Sequence, residues 1–169
     1  MASKRAKEAM EHPGKAYYYA KDVIKGRWYQ AELTIMKDPE WACRYVEYVI
    51  KGRWPDVEPY FMSLPWWAYY YARKIIKGRW SEAEPYIMKD PGSACGYAED
   101  VIKGRWCQAE PYIMKDPEYA YKYARYVIRG QWSEAEPCIE KDPWFAYKYA
   151  KDVMKVWSGR YKDFLSALH

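Results

Sequence analysis

The most constraining feature of this chain is a sequence repeat with a period of 26 residues. The segment V/I-I-K-G-R-W, with V-I-R-G-Q-W as its last copy, recurs along the 169 residues. Its glycines are Gly26, Gly52, Gly78, Gly104 and Gly130, so the spacing never changes. A fixed period of this length is typical of arrays in which small structural units stack on their neighbours. We therefore expect a repeat protein and not one irregular core.

Each repeat carries the start and stop signals of a helical hairpin. Asp-Pro dipeptides such as Asp116-Pro117 place a capping carboxylate before a proline at the first helical position. The repeat glycine follows about 13 residues later, and we expect it to adopt the left-handed conformation just after the helix. Residues 81–84 and 133–136 have the S-x-x-E form of a capping box, which predicts a second, shorter helix. The sequence thus predicts an all-α fold, an α-solenoid of about six helix-turn-helix repeats.

The apolar residues of the longer helix recur with helical spacing. In the repeat that begins at Asp116 they are Ala120, Tyr123, Ala124, Val127 and Ile128. This spacing places them on one stripe of a helix, which predicts the buried core. A single hairpin cannot bury such a stripe, so neighbouring repeats must stack. We expect most tyrosines and tryptophans to be packing residues.

A second, longer period groups the repeats in threes. Counted from residues 12, 38, 64, 90, 116 and 142, the third positions are Gly14, Glu40, Trp66, Gly92, Glu118 and Trp144. This Gly-Glu-Trp series indicates a duplicated block of 78 residues, with blocks at 12–89 and 90–167. We expect an N-terminal helical or flexible cap at 1–11, a single solenoid domain at 12–155 and a C-terminal capping helix at 156–169, where Val156 replaces the repeat glycine.

Composition excludes several classes of function. The four cysteines contain no C-x-x-C pair, and the two histidines, His12 and His169, lie near the chain ends. We therefore expect no metal site, and we find no catalytic or cofactor motif, so an enzyme is not expected. The net charge of +5 allows an anionic partner but is too small for a dedicated duplex-DNA binder. Without a membrane-spanning run or a secretion signal, the chain is expected to be cytoplasmic.

The repeat unit also resembles a known class of sequences. Residues 116–139 follow, with R-G-Q in place of K-G-R, the pattern D-P-x-W/Y-A-Y-x-Y-A-x-x-V-I-K-G-R-W-x-E-A-E-P-x-I. Nearly the whole chain resembles short helical-hairpin repeats of uncharacterised proteins from bacteriophages and large DNA viruses. The resemblance implies an α-solenoid, a viral origin and therefore a location in the host cytoplasm. It implies no catalytic residues, because the shared pattern is one of capping and packing. At Leu64-Pro65 and His12-Pro13 the capping Asp is lost, which predicts weaker caps.

One face of the longer helix is expected to be exposed. Positions 3, 7, 10 and 14 of each repeat lie opposite the core stripe. Position 14 is always basic: Lys25, Lys51, Lys77, Lys103, Arg129 and Lys155. Such a row, with one cation per repeat, favours an anionic ligand, although the same cations also complement helix C-termini and increase solubility.

The fourth repeat lacks the bulky residues of its neighbours. Residues 91–96 read Pro-Gly-Ser-Ala-Cys-Gly, with Ser93 in place of Trp or Tyr and Cys95 in place of Tyr. The small residues predict a notch between aromatic neighbours, close packing against another repeat, or simple drift. Aromatic walls with nearby cations would suit a nucleobase and its phosphates. The predicted ligand-binding residues are Trp66, Trp67, Tyr69, Tyr70, Arg73, Gly92, Ser93, Cys95, Gly96, Tyr119, Tyr121, Lys122 and Arg125.

Two classes of function fit these observations. The first is a non-catalytic protein that captures a small anionic aromatic ligand of the nucleotide type. For a viral protein, sequestering a host signalling nucleotide would be a natural use. The second is a scaffold that binds a peptide or protein in the solenoid groove. Single-stranded nucleic acid, whose binding would weaken steeply with salt, and a homo-oligomer formed through the chain ends are further possibilities.

Overall fold

The computed structural model describes residues 4–155 and confirms the predicted fold class. Helical hairpins of about 26 residues follow one another, and the described range contains no β-strand. The chain divides into two compact units, Met1–Trp80 and Ser81–His169, and within each unit successive repeats pack in the manner of an α-solenoid. No helix in residues 4–155 is long and apolar enough to cross a membrane. The capping helix predicted for residues 156–169 lies outside the described residues.

In the first unit, the first helix of each repeat begins as an α-helix and ends as a π-helix. The α-helices are α1 (Lys4–Ala9), α2 (Pro13–Tyr18), α3 (Glu32–Ile35), α4 (Pro39–Tyr45), α5 (Glu58–Met62) and α6 (Pro65–Tyr71). The π-helical segments are Tyr19–Ile24, Val46–Ile50 and Ala72–Ile76, and a 3₁₀ turn spans Tyr29–Ala31. Helix α1 lies in the predicted N-terminal cap.

The second unit has the same local organisation. Its α-helices are α7 (Glu84–Ile87), α8 (Pro91–Tyr97), α9 (Glu110–Ile113), α10 (Pro117–Lys122), α11 (Glu136–Ile139) and α12 (Pro143–Tyr149). Its π-helical segments are Ala98–Ile102, Tyr123–Ile128 and Ala150–Met154. The short helices α7, α9 and α11 are the second arms of their hairpins, and each has a proline in its first turn.

The Asp-Pro signals start the first helices as expected. Asp38, for example, accepts hydrogen bonds from the backbone N–H groups of Glu40 (2.9 Å) and Trp41 (3.2 Å). Where aspartate is lost, the two repeats differ. His12 still caps α2, because its Nδ1 accepts from the Gly14 N–H at 3.2 Å. Leu64 makes no such bond at the start of α6.

At the helix C-terminus, the left-handed residue lies one position earlier than predicted. The left-handed residue is the lysine or arginine at position 14 and not the glycine that follows it. All six basic residues have φ between 54° and 61°, whereas no glycine in the described residues has a positive φ. The π-helical end explains the shift, because the last backbone bonds span five residues: the Lys51 N–H donates to the Val46 carbonyl at 2.7 Å. The wider turn brings the basic residue to the reversal point.

The predicted capping boxes do not form. Helix α7 begins at Glu84 and not at Ser81, and residues 81–83 form a turn in front of it. The residue before the helix is Ala83, which has no side-chain cap. Pro85 lacks an N–H and is therefore accommodated only in the first turn, so it fixes the helix start beside itself. The S-x-x-E pattern thus describes a turn followed by a helix.

The core consists of alanines from the first helices and rings from both arms of the hairpins. Ala120, Tyr123 and Ala124 are fully buried, as predicted, and Trp132 and Ile139 are nearly so. Val127 and Ile128 are only partly buried, which corrects the stripe predicted from α-helical spacing. They lie in a π-helical segment, whose wider turn moves residues off the α-helical stripe. Tyrosine-tryptophan ring pairs recur at centroid distances of about 5 Å, as between Tyr123 and Trp132.

A buried polar network repeats with the hairpins, and the sequence reasoning missed it. In the first unit, Arg53 donates to both carboxylate oxygens of Glu58 at 2.8 and 2.7 Å. The Tyr71 hydroxyl donates to Glu58 at 3.0 Å and accepts from the Trp54 backbone N–H at 2.7 Å. This network ties the turn, the second arm and the next first helix together. The same spacing joins Arg27, Glu32 and Tyr45, and Arg105, Glu110 and Tyr123.

Candidate ligand site on the exposed helix face

The basic row predicted at position 14 is exposed throughout the described chain. Each of its six residues occupies the left-handed conformation, which L-residues other than glycine, asparagine and aspartate seldom adopt. The neighbouring glycines have open space around their Cα atoms at Gly26, Gly52 and Gly78. A glycine at position 14 would relieve the backbone, yet every repeat places a cation there.

The polar networks recur in the repeats and hold glutamate and tyrosine side chains together. Glu58 is 9% exposed, and its hydrogen bond from Arg53 lowers its pKa although burial acts in the opposite direction. Burial raises the pKa of Tyr45 to about 12, so its hydroxyl stays protonated at neutral pH. In these networks the glutamate and tyrosine are buried, whereas Arg53 and Arg105 are exposed. Among residues 4–155, no group of three or more metal-ligating side chains is arranged to hold an ion.

The packing between successive first helices follows a rule that involves positions 4 and 6. At the junction of repeats 1 and 2, the position-6 ring of Tyr17 lies against the position-4 ring of Trp41, with centroids 5.6 Å apart. At the junction of repeats 5 and 6, Tyr121 and Phe145 make the equivalent contact at 6.1 Å. A tyrosine ring from one repeat therefore fills the space beside the aromatic residue of the next.

Between repeats 4 and 5, the same space closes in another way. Position 6 is Cys95, which has no ring. Position 3 is Gly92, and the Tyr119 ring of the next repeat lies over this glycine. A Cβ added to Gly92 would lie only 2.9 Å from Tyr119 Cζ. Close packing thus explains this glycine, as it explains Gly14 under Trp41 at 3.0 Å.

Between repeats 2 and 3 there is neither a tyrosine nor a glycine to fill or close this space, and an open cleft remains. Position 6 is Cys43 in place of tyrosine, and position 3 is Glu40 in place of glycine. Trp67 therefore meets neither a position-6 ring nor a glycine of repeat 2, and its ring packs instead on Phe61 at 6.4 Å and on Tyr70 at 6.1 Å. We call the resulting cleft of about 230 Å³ the ring slot. It is lined by Glu40, Cys43, Arg44, Glu47, Trp66, Trp67 and Tyr70.

The charged groups of the ring slot are arranged at its edge. Arg44 and Glu40 form an ion pair at 2.7 Å, and both side chains are exposed. The Tyr70 hydroxyl is 3.5 Å from a Glu47 carboxylate oxygen, which is at the limit of a hydrogen bond. Glu47 therefore keeps most of its capacity to accept hydrogen bonds. Burial raises the pKa of the Cys43 thiol to about 12, so this wall of the slot is neutral.

The structure places the predicted residues of the first unit in different environments. Trp66, Trp67 and Tyr70 come together in the ring slot, and Trp66 is 55% exposed. Tyr69 is buried, with its ring against Trp66 at 5.4 Å. Arg73 is exposed and donates to the Tyr69 hydroxyl at 3.2 Å.

Most of the predicted residues of the second unit are engaged in packing or in ion pairs. Ser93 is fully buried and donates from its hydroxyl to Asp90 at 2.6 Å, and Cys95 is also buried. Gly96 is half-buried. Lys122 pairs with Glu118 at 2.5 Å and lies over the Tyr119 ring. Their role in ligand binding stays a prediction.

Tyr121 and Arg125 show what a filled slot looks like. The Tyr121 hydroxyl donates to Asp152 at 2.6 Å and is also bonded by Arg125, which pairs with Asp152. Tyr121 is 3% exposed. In the second unit the protein thus provides its own ring at the position that is open beside Cys43.

Four residues of the ring slot were missed by the sequence reasoning: Glu40, Cys43, Arg44 and Glu47. A signal was present, because Cys43 interrupts the tyrosine column at position 6 just as Cys95 does. What distinguishes the two cysteines is the residue at position 3, and its effect depends on the ring of the next repeat.

Comparison with known proteins adds no family. No protein-family model, no curated protein and no solved structure matches the sequence.

Proposed function

We propose that this protein binds, without transforming it, a small ligand that combines a planar ring with an anionic group, as a nucleotide does. The ring would enter the ring slot between repeats 2 and 3. One observation carries the proposal: a packing position that a tyrosine ring of the protein fills in repeats 1 and 5 is open beside Cys43, between tryptophan walls.

The walls of the slot favour a flat aromatic ligand. Tyr121 shows that a six-membered ring fits this position between two first helices. Trp66 and Trp67 supply large faces for stacking, which contributes about 1–3 kcal/mol per nucleobase in proteins that bind single strands. A ring bound there would replace the contacts that Tyr121 makes in the second unit.

Glu47 favours rings that carry hydrogen-bond donors. An ionised carboxylate only accepts hydrogen bonds, and the single contact of Glu47 in the slot is the long one to Tyr70. Adenine, guanine and cytosine carry exocyclic amino groups that can donate to such a carboxylate. The equivalent residue in repeat 5, where Tyr121 fills the position, is Arg125.

Lys51 and Lys77 are suited to the anionic part of the ligand. They end the two first helices that form the slot, and both side chains are exposed. Lys77 follows Tyr70 by seven residues, which is roughly 10 Å along a helix. A nucleotide with its base in the slot would direct its phosphates along the helices towards this row.

Calorimetric titration with adenosine, guanosine and their monophosphates tests the proposal. The decisive variant is Cys43→Tyr, which places in repeat 2 the ring that Tyr121 provides in repeat 5. We expect the wild type to bind one ligand per chain and Cys43→Tyr to lose about tenfold or more in affinity, since the added ring takes the stacking position. Purine riboside, which is adenosine without its amino group and has no donor on that edge, should bind more weakly than adenosine.

The matched control is Cys107→Tyr, which adds the same ring at an exposed cysteine of the second unit. It should bind as the wild type does, and thermal melts should show that both variants fold. Equal affinities of the wild type and Cys43→Tyr, or no binding of any nucleoside or nucleotide, would overturn the proposal. Nucleotide recovered unchanged after incubation would agree with sequestration in a host cytoplasm, as the viral resemblance implies.

A peptide- or protein-binding scaffold is the second candidate. It is favoured by three apolar side chains of repeat 1, Val23, Tyr29 and Leu33, which are 61%, 67% and 78% exposed. Replacing Tyr29 and Leu33 with serine would weaken binding to such a partner. The same replacements should leave nucleoside binding unchanged, because neither residue lines the ring slot.

A further inference from the structure

The C-terminal ends of the first helices of repeats 1 and 2 enclose a second cleft in the first unit. Its volume is about 220 Å³, and we call it the lysine cleft. It is lined by Lys21, Lys25, Gly26, Tyr48, Val49 and Lys51. Three lysines thus line one small space, and none of the lining residues is a carboxylate.

The nearby carboxylates line other spaces. Asp22 lines a separate cleft near the N-terminus, together with Arg5 and Lys15. Glu47 lines the ring slot. The lysine cleft therefore keeps its positive charge, although the sequence around it contains acidic residues.

The backbone of the reversal satisfies one carbonyl near each of these two helix ends. The Ala20 carbonyl accepts from the backbone N–H groups of Lys25 and Gly26, and the Val46 carbonyl accepts from the Lys51 N–H at 2.7 Å. The backbone reversal thus satisfies these terminal carbonyls without help from an ammonium group. Lys21 Nζ lies 5.8 Å from the centre of the Tyr17 ring and also interacts with the Tyr17 hydroxyl.

The second unit contains an equivalent cleft in which carboxylates balance the cationic side chains. Residues 78 positions further along line a cleft of about 400 Å³ between repeats 4 and 5. Lys103 and Arg129 replace Lys25 and Lys51, but Glu99 stands in place of Lys21, and Asp100 also lines the space. Two cations therefore meet two carboxylates, whereas the lysine cleft has three cations alone.

We propose that the lysine cleft binds a compact polyvalent oxyanion of the phosphoryl class, such as pyrophosphate or a chain of phosphates. Converging ammonium groups form charge-assisted hydrogen bonds with phosphate oxygens, and a recess screens such charges less than an open surface does. The proposal does not depend on the ring slot, which lies between repeats 2 and 3, although Lys51 lines this cleft and also ends a helix that forms the slot. The two sites would require separate ligands or separate parts of one ligand.

Titration with inorganic pyrophosphate at low salt tests the site. Lys21→Glu reproduces the charge arrangement of the counterpart cleft at one position. We expect the wild type to bind one pyrophosphate per chain and Lys21→Glu to bind it about tenfold or more weakly, since a like charge is placed against the anion. Raising the salt concentration should weaken the wild-type affinity.

Lys74→Glu is the matched control, because it makes the same charge change at an exposed lysine that lines neither cleft. When both variants are compared at about 0.15 M salt, it should leave pyrophosphate affinity within about twofold of the wild type, since exposed charges more than about 8 Å away are then largely screened. Equal weakening by both variants would overturn the proposal, because binding would then reflect net charge alone. Unchanged binding by Lys21→Glu would also overturn it. Cys43→Tyr should bind pyrophosphate normally, so that failure of one site is distinguishable from failure of the other.

Discussion

At the scale of single residues, the helix ends place unusual demands on the backbone. Six consecutive repeats put a lysine or arginine in the left-handed conformation, and in the first five a glycine follows it directly. The sequence suggested that the glycine served this purpose, because glycine is the commonest residue at such ends. It could not reveal that the helix widens to a π-helix first and brings the reversal one residue forward. Backbone hydrogen bonding at the helix end thus determines which residue is left-handed.

Two glycines should therefore respond in opposite ways to alanine. Gly52 has no positive φ and no atom within 4 Å of an added Cβ, so Gly52→Ala should stabilise the fold by about 0.4–1 kcal/mol. Alanine is normally more stable than glycine in a helix, but the added Cβ at position 92 would lie too close to Tyr119. We therefore expect Gly92→Ala to lower the free energy of unfolding by about 1 kcal/mol. Urea denaturation measures both changes. A marked loss of stability in Gly52→Ala would mean that this glycine is the left-handed residue after all.

At the scale of structural elements, the repeated Arg-Glu-Tyr network joins each turn to the next first helix. Its residues recur at fixed spacing in the sequence, yet the pattern predicted only helix starts and ring packing. Glu58 looked like a charge at a helix N-terminus, and it is one, but it is also nearly buried under Arg53 and Tyr71. Contacts between residues 13 and 17 positions apart are not visible to a reading based on helical periodicity.

Removing one hydroxyl should weaken this connection. Tyr71→Phe leaves the buried Trp54 backbone N–H without its acceptor and removes a donor from Glu58, so we expect a loss of about 1–3 kcal/mol in unfolding free energy. Tyr48→Phe is the control, because Tyr48 is 52% exposed. Chemical denaturation of both variants gives the comparison. Similar stabilities would show that the hydroxyl of Tyr71 contributes little.

The same network should make stability depend on pH. Because Arg53 lowers the pKa of Glu58 in the folded protein, its stabilising effect is present above the unfolded value of about 4.3 and is lost as pH falls through the folded value. The difference in unfolding free energy between the wild type and Glu58→Gln should therefore shrink from pH 6 to about pH 3. Urea titrations at several pH values measure this difference. A constant difference would contradict the assigned role of the ionised carboxylate.

At the scale of the whole molecule, the repeats share one fold but differ in what their exposed faces offer. The first unit contains the open ring slot and the uncompensated lysine cleft. In the second unit, Tyr121 fills the position that corresponds to the slot, and Glu99 and Asp100 neutralise the counterpart of the cleft. If the duplicated block was once symmetrical, its two copies have since diverged at the residues that would meet a ligand.

The sequence predicted the array and the exposed basic row, because both follow from periodicity. It drew attention to the small residues of repeat 4, where Tyr119 has closed over Gly92. It gave no reason to select Cys43, because the effect of one small residue among the tyrosines at position 6 depends on where the ring of the next repeat lies. A missing side chain leaves a cleft only where no side chain of the next repeat fills the space. Only the packed structure contains that information.

The most direct test of the central claim is the ratio of adenosine dissociation constants between Cys43→Tyr and the wild type, with Cys107→Tyr measured alongside. The ring slot predicts a ratio of about ten or more for Cys43→Tyr. It predicts a ratio near one for Cys107→Tyr, whose new ring lies on an exposed surface away from the slot. Ratios near one for both folded variants would contradict it, because adenosine would then bind somewhere other than beside Cys43.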